Sequence, residues 1–171
     1  MYKVGDVVIY GKQGVCRIVK VGPISISSAI NDTLYYTLEP VYGNGKTYTP
    51  IDTKVFMRPV MTLEEVQEII KEIPNIENHL NENNTTREMA EYYKASLNSN
   101  RLEDLIQVIK TVYEKEKLIK EQGKKLGQTD ERYKKEAEDL LYQEFAVALE
   151  IPVETVEEYI TKCIDGDKVG S

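Results

Sequence analysis

Between Tyr2 and Pro59 the apolar residues come in short runs separated by turn residues. Runs at 7–10, 15–21, 34–39, 46–50 and 54–57 are rich in β-branched and aromatic side chains, and they alternate with Gly11, Gly14, Gly22-Pro23, Asn31-Asp32 and Gly43-Asn44-Gly45. Such runs bounded by Gly, Pro, Asn and Asp predict four or five strands, with Gly11 and Gly14 bracketing a tight hairpin connection that uses positive φ. That many strands in so short a stretch predicts a small, strongly bent SH3/Tudor-like β-barrel. Pro50 closes the run Lys46-Thr47-Tyr48-Thr49-Pro50, and a proline at that place predicts an edge strand.

After Pro59 the period changes. Thr62-Leu63-Glu64-Glu65 has the form of a capping box, followed by Leu63, Val66, Ile69, Ile70 and Ile73 at helical spacing until Pro74. An Asn-rich polar stretch from Asn75 to Asn84 leads to a second box, Thr85-Thr86-Arg87-Glu88, and a helix carrying Met89, Tyr92, Tyr93 and Leu97. A long helix over 101–122 aligns Leu102, Leu105, Ile106, Ile109, Val112 and Tyr113; a further helix over 130–149 carries Tyr133, Ala137, Leu140, Leu141, Phe145 and Ala148. A short last helix follows Pro152. The expected class is therefore α+β: a β-barrel over residues 1–59 and an all-α helical bundle over residues 60–171.

Charge divides at the same place. Residues 1–60 carry seven Lys/Arg against four Asp/Glu, and residues 61–171 carry fifteen against twenty-five, giving +3 and −10. An acidic total argues against bulk nucleic-acid binding, yet residues 110–135 hold nine basic side chains against five acidic ones, a local basic patch. No run reaches the ~20 apolar residues of a membrane span, and Met-Tyr-Lys-Val-Gly-Asp lacks a signal-peptide core, so the expectation is a cytoplasmic protein without a membrane partner. Cys16 and Cys163 are expected to be free thiols.

Catalytic chemistry finds no foothold. Gly45-Lys46-Thr47 ends like a phosphate-binding loop, but the motif's first glycine would fall at Pro40 and a strand follows where a helix is required. His79, the one histidine, stands in the polar linker without metal-ligand or triad partners at defined spacing. The glutamates lie among lysines on helix faces. No enzyme, metal site or cofactor is expected. What remains is the tyrosine set Tyr35, Tyr36, Tyr42 and Tyr48, more aromatic surface than a barrel this small buries, and the helix around Met89 beside the basic region.

The stretch Lys3-Val4-Gly5-Asp6-Val7-Val8-Ile9-Tyr10 with Gly14, then Lys46-Thr47-Tyr48-Thr49-Pro50-Ile51, resembles the N-terminal module of the CarD-like family of bacterial transcription regulators, which is shared with transcription-repair coupling factor. Tyr93-Lys94-Ala95, Leu97-Asn98-Ser99-Asn100, the segment Leu105 to Tyr113, Lys124-Lys125-Leu126 and Ala137 to Leu141 follow the family's pattern in order. The resemblance implies a barrel that adds its edge strand to the β subunit of RNA polymerase, and a helical domain that contacts promoter DNA and modulates the stability of the open complex. It places Lys46, Thr47, Tyr48, Thr49, Pro50 and Ile24 at the polymerase, and Met89, Lys94, Lys124, Lys125 and Arg132 at the DNA. The chain departs from the pattern at telling positions. Met89 stands where the family carries a wedge tryptophan, Glu91, Tyr92 and Glu131 stand at basic positions, and Ile24 and Tyr48 stand where arginines salt-bridge the polymerase. The alternative reading is a polymerase-tethered adaptor whose acidic helical domain binds a protein. Oligomeric state is left open.

Overall fold

The computed structural model describes residues 1–24 and 33–169, with side chains as far as Ile164 in the last helix. The turn expected at Asn31-Asp32 lies outside the described residues. The chain forms two compact units, Met1–Met61 and Thr62–Ser171.

The first unit is a five-stranded antiparallel sheet of β1 (Val7–Tyr10), β2 (Gly14–Gly22), β3 (Tyr35–Pro40), β4 (Thr47–Pro50) and β5 (Met57–Pro59), in the order β4-β3-β2-β1-β5. The final strand begins at Met57, later than the run at 54–57 predicted, because Thr53 and Val55 are taken up in a turn (Thr53 Oγ1 accepts from the Val55 N–H at 3.1 Å). Gly11 and Gly14 do adopt positive φ (47° and 75°), and they bracket a single 3₁₀ turn, Gly11–Gln13, between β1 and β2. A Cβ on Gly11 would stand 3.1 Å from the Val55 side chain.

Closure is where expectation and structure differ. The described strands β4 and β5 share no ladder, so the sheet is open where a barrel was expected. Side chains bend it instead: the Thr47 hydroxyl donates to Gln13 Oε1 at 2.9 Å, and the Tyr36 hydroxyl accepts from the Tyr2 N–H at 3.0 Å. The concave face buries Val8, Tyr10, Cys16, Ile18, Tyr36 and Leu38. Alternation of side chains along each strand supplies that set, and burial raises the Cys16 thiol pKa.

The second unit contains α1 (Leu63–Glu72), α2 (Thr86–Asn98), α3 (Leu102–Glu121), α4 (Gln128–Leu149) and α5 (Val156–Val169). Both predicted caps form. At Thr62 the box is reciprocal with Glu65; at Thr85 the hydroxyl accepts the Glu88 N–H while donating to the Glu88 carboxylate. Helix α4 packs against each of the other four. Near its start, the buried Asp130 accepts the Tyr93 hydroxyl of α2 at 2.7 Å and lies 2.8 Å from Lys115 Nζ of α3.

The long helix α3 buries Leu105, Ile106, Val108, Thr111 and Val112, whereas Tyr113 is 52% exposed. The stripe turns because the Asn-rich linker covers α3. Lys110 Nζ donates to the carbonyls of Ile73 and Ile76, Gln107 Nε2 donates to the Glu77 carbonyl at 3.0 Å, and the His79 N–H donates to Thr111 Oγ1 at 2.8 Å. The exposed His79 ring stacks on Tyr92, centroids 4.4 Å apart. The linker is strapped down, and desolvation lowers the Lys110 pKa.

Two outcomes follow from the Asp130 node. Asp130→Ala, which strands Lys115 and Tyr93, is expected to cost about 3 kcal/mol and Tyr93→Phe about 1–2 kcal/mol, with the double variant well short of the sum, by urea unfolding. Burial, then the hydrogen bond to Asp130, pushes the Tyr93 phenol above its ordinary value, and burial does the same to Tyr142. A raised folded pKa means that the unfolded chain releases its proton first. Stability is therefore fully present below the ordinary tyrosine value of about 10 and falls as pH rises past it. Tyr93→Phe should flatten that fall in urea midpoints measured from about pH 9 to about pH 11.

Candidate functional site

Strand β4 is an edge of the sheet, and its ladder phase decides what it offers. The Ile51 N–H bonds the Leu34 carbonyl at 3.1 Å, and the register pairs Tyr36 with Thr49 and Leu38 with Thr47. Bonded and non-bonded pairs alternate in an antiparallel ladder, so the backbones of Thr47 and Thr49 point to β3. The N–H and carbonyl of Tyr48, and the carbonyl of Pro50, point away from the sheet, and the Pro50 carbonyl accepts the Thr53 N–H at 3.0 Å. Side chains follow the same alternation: Thr49 is 2% exposed, whereas Tyr48 is 51% exposed.

The opposite edge is shorter. Bonds from the Gly11 N–H to the Phe56 carbonyl (2.8 Å) and from the Val60 N–H to the Val7 carbonyl (3.3 Å) set the phase of β5. By the same alternation Met57 and Pro59 face outward, and the Arg58 guanidinium already donates to the Pro59 carbonyl at 3.1 Å.

Beside β4 the convex face carries a depression of about 520 Å³ lined by Val19, Lys20, Ile24, Thr37, Glu39, Lys46 and Tyr48. Lys20, Thr37 and Tyr48 stand in one row across β2, β3 and β4. Lys46 lies 3.8 Å from Glu39, an exposed pair of small energetic worth. Of the six residues expected here, the depression gathers Lys46, Tyr48 and Ile24. Thr47 and Thr49 serve the other face, and Pro50 sits opposite Tyr35 at the strand end. Lys20, Thr37 and Glu39 were not anticipated. Their row depends on a bulge between Ile18 and Lys20, which shifts the β2–β3 register by one residue.

The residues expected at DNA do not form one surface. Met89 is 3% exposed, its sulfur receiving the Asn84 amide at 3.5 Å, so it forms part of a wall and is not presented as a projecting wedge. Lys94 is exposed five positions later, about 140° around α2 from Met89. Arg132 on α4 pairs with Glu136 at 3.3 Å and covers the Tyr133 ring. Lys124 and Lys125 are exposed in the α3–α4 turn, where the Lys124 N–H bonds the Ile119 carbonyl at 2.9 Å and Gly123 takes φ 73°. That is a Schellman ending. Neither lysine has an ion pair among the described residues.

Met89 instead lines a recess of about 280 Å³ with Leu80, Asn81, Glu82, Asn84, Lys115, Leu118, Ile119 and Gln122. Lys115, Leu118 and Ile119 of α3 and its C-cap Gln122 fall at i, i+3, i+4 and i+7, one helix face. Among the described residues no helix is long and apolar enough to cross a membrane, and no group of three or more His, Cys, Asp or Glu forms a cation cluster.

No curated protein matches the chain. Residues 2–61 match the family model of the CarD-like/TRCF RID domain, a protein-interaction module of the RNA polymerase-binding kind. The match spans the sheet with both of its edges and ends where the helical unit begins. The N-terminal unit of this chain therefore belongs to the CarD-like/TRCF RID family, the module that CarD-like regulators share with transcription-repair coupling factor.

Proposed function

We propose that this protein is a non-enzymatic, cytoplasmic CarD-like transcription regulator that docks on the β subunit of RNA polymerase through β4, and whose helical unit acts on promoter DNA to modulate the open complex. The observation that carries the reading is the outward backbone of Tyr48, which has no hydrogen-bond partner among the described residues, beside a depression, in a domain of the polymerase-binding family. Strand addition draws affinity from backbone hydrogen bonds, and side chains at alternate positions choose the partner. Here those side chains are Tyr48 and Lys46, with Lys20 and Glu39 behind them. Pro50 has no N–H, so the strand that is added is short.

A second reading, the adaptor whose helical unit holds a protein, draws support from the burial of Met89 and from the −10 charge of residues 61–171. Open-complex decay on a promoter template separates the two. Under the first reading Lys124→Ala/Lys125→Ala changes the decay rate while polymerase stays bound; under the adaptor reading it does not.

Docking itself is tested by proline. Tyr48→Pro removes the outward donor and leaves the β3–β4 bonds of Thr47 and Thr49, so polymerase capture should fall at least about tenfold with near-normal circular dichroism. Tyr48→Thr, which keeps the donor, should retain most of the binding. Thr49→Pro removes an inward N–H and should instead lower thermal stability. Capture undiminished in folded Tyr48→Pro would take β4 out of the interface.

A further inference from the structure

We propose that Asn44 is a self-modifying site: its side chain closes on the Gly45 backbone nitrogen, loses ammonia and hydrolyses to a carboxylate, and this ageing step weakens docking through β4. The effect on docking rests on the proposed function; the chemistry at Asn44 does not.

Asn44-Gly45 is the only Asn-Gly pair in the sequence. It lies in the connection of residues 41–46 between β3 and β4, where both residues are exposed. Imide closure needs a backbone N–H free to lose its proton, a side-chain amide free to swing onto it, and no bulk on the following residue. Gly45 supplies the last, and a Cβ built there would meet nothing within 4 Å, so the space beside it is open. Its φ of 91° lies in the region that favours glycine, so the turn itself keeps this position unhindered. Neither Asn44 nor Gly45 makes a hydrogen bond among the described residues.

The other asparagines lack that freedom. The N–H groups of Ile76, His79, Asn84, Ser99 and Arg101, each of which follows an asparagine, are all hydrogen-bonded. Asn81 and Asn84 are followed by Glu82 and Thr85, whose side chains crowd the nucleophile. Their own side chains are engaged as well, Asn81 by the Asn83 N–H and Asn84 by the Met89 sulfur. Asn44 alone among the described asparagines combines a free amide, a free following N–H and a glycine.

The step balances without a cofactor or a redox change. The Gly45 N–H gives its proton to hydroxide, the nitrogen bonds to Asn44 Cγ, and the Cγ–Nδ2 bond breaks as ammonia leaves. Water then opens the ring at either carbonyl. Opening at Cγ leaves aspartate; opening at the Asn44 backbone carbonyl leaves isoaspartate, with the main chain running through Cγ and one atom longer.

Both products reach β4. Lys46, two residues on, lines the depression and lies 3.8 Å from Glu39, so a second carboxylate nearby further reduces the positive charge it offers a partner. The added backbone atom of isoaspartate enters the connection that sets the β3–β4 register, just before Thr47 bonds Gln13 at 2.9 Å. Register decides which groups of the strand face outward, so isoaspartate harms docking more than aspartate does.

The experiment ages the full chain for days in mildly alkaline and mildly acidic buffer, then maps its peptides by mass and labels isoaspartate with an isoaspartyl methyltransferase. Amide-to-acid conversion should appear at Asn44 ahead of every other asparagine and rise in proportion to hydroxide. Asn44→Gln, whose longer side chain closes a larger ring far more slowly, should stay unconverted. Polymerase capture should fall at least about fivefold in the aged chain and about threefold in fresh Asn44→Asp, the latter being the size of one exposed charge interaction. Aged Asn44→Gln should capture polymerase as the fresh protein does. Asn44 remaining an amide while a free peptide of the same sequence converts overturns the modification; undiminished capture by the fully converted chain overturns its effect on docking. Fresh Tyr48→Pro, measured alongside, separates the failures. If that variant keeps its capture, β4 docking falls and the effect on docking falls with it, whereas the peptide map still decides the modification.

Discussion

The helical unit is organised around one carboxylate. Asp130 is almost fully buried, and its two oxygens are divided between the Tyr93 hydroxyl and the Lys115 ammonium, so three helices meet on a single side chain. A buried charge without partners would cost several kcal/mol, and with only one it would still be underpaid in hydrogen bonds. The consequence is a fixed rotation of each helix about its own axis. Tyr93 lies one turn after Met89, and Lys115 one turn before Leu118 and Ile119, so the node that orients α2 and α3 also sets both walls of the recess. Packing alone would permit several rotations of similar helices; a directional hydrogen bond selects one.

In the first unit the equivalent constraint is ladder phase. Both edges of the sheet end in proline, Pro50 on β4 and Pro59 on β5, which limits how far any added strand can run. The edges still differ. On β5 the Arg58 guanidinium occupies the Pro59 carbonyl and on β4 the Thr53 N–H occupies the Pro50 carbonyl, but β4 is one residue longer and turns half of the Tyr48 side chain to solvent beside its outward backbone. Edge strands are hazards that proteins blunt unless they are used. What distinguishes β4 is the depression beside it.

Much of this was legible in the sequence, and the failures have causes. Turn chemistry and period located the sheet, its edge strand β4 and the helices, because these are local signals. Closure into a barrel was not local: it depends on whether β4 and β5 meet, and here Thr47 and Gln13 bend the sheet without a shared ladder. Tyr113 was expected inside because its spacing fits the stripe of α3, but a polar linker bound by Lys110, Gln107 and Thr111 took part of that helix's surface. No apolar pattern announces such a strap, since its bonds run to backbone carbonyls and amides. The row Lys20, Thr37 and Tyr48 was hidden by a one-residue bulge. The expected DNA set scattered because it joined residues from α2, the α3–α4 turn and α4 without knowledge of the helices' rotation, which Asp130 helps to fix.

The opposite charges of the two units bear on how the proposed activities combine. A helical unit of net charge −10 is repelled by duplex DNA at long range, and two exposed lysines cannot reverse that field in solution. Docking through β4 changes the requirement. A module held beside its target by a neighbouring contact experiences an effective concentration of about millimolar, so a local site with a dissociation constant near that value becomes about half occupied. Weakness in isolation then carries an advantage, because a strongly basic bundle would hold any duplex, while this one acts where polymerase has brought it. In this reading specificity rests on the order of events: β4 docks on the machine with its side chains choosing the partner, and the acidic surface of the helical unit suppresses contact with DNA that the machine has not opened.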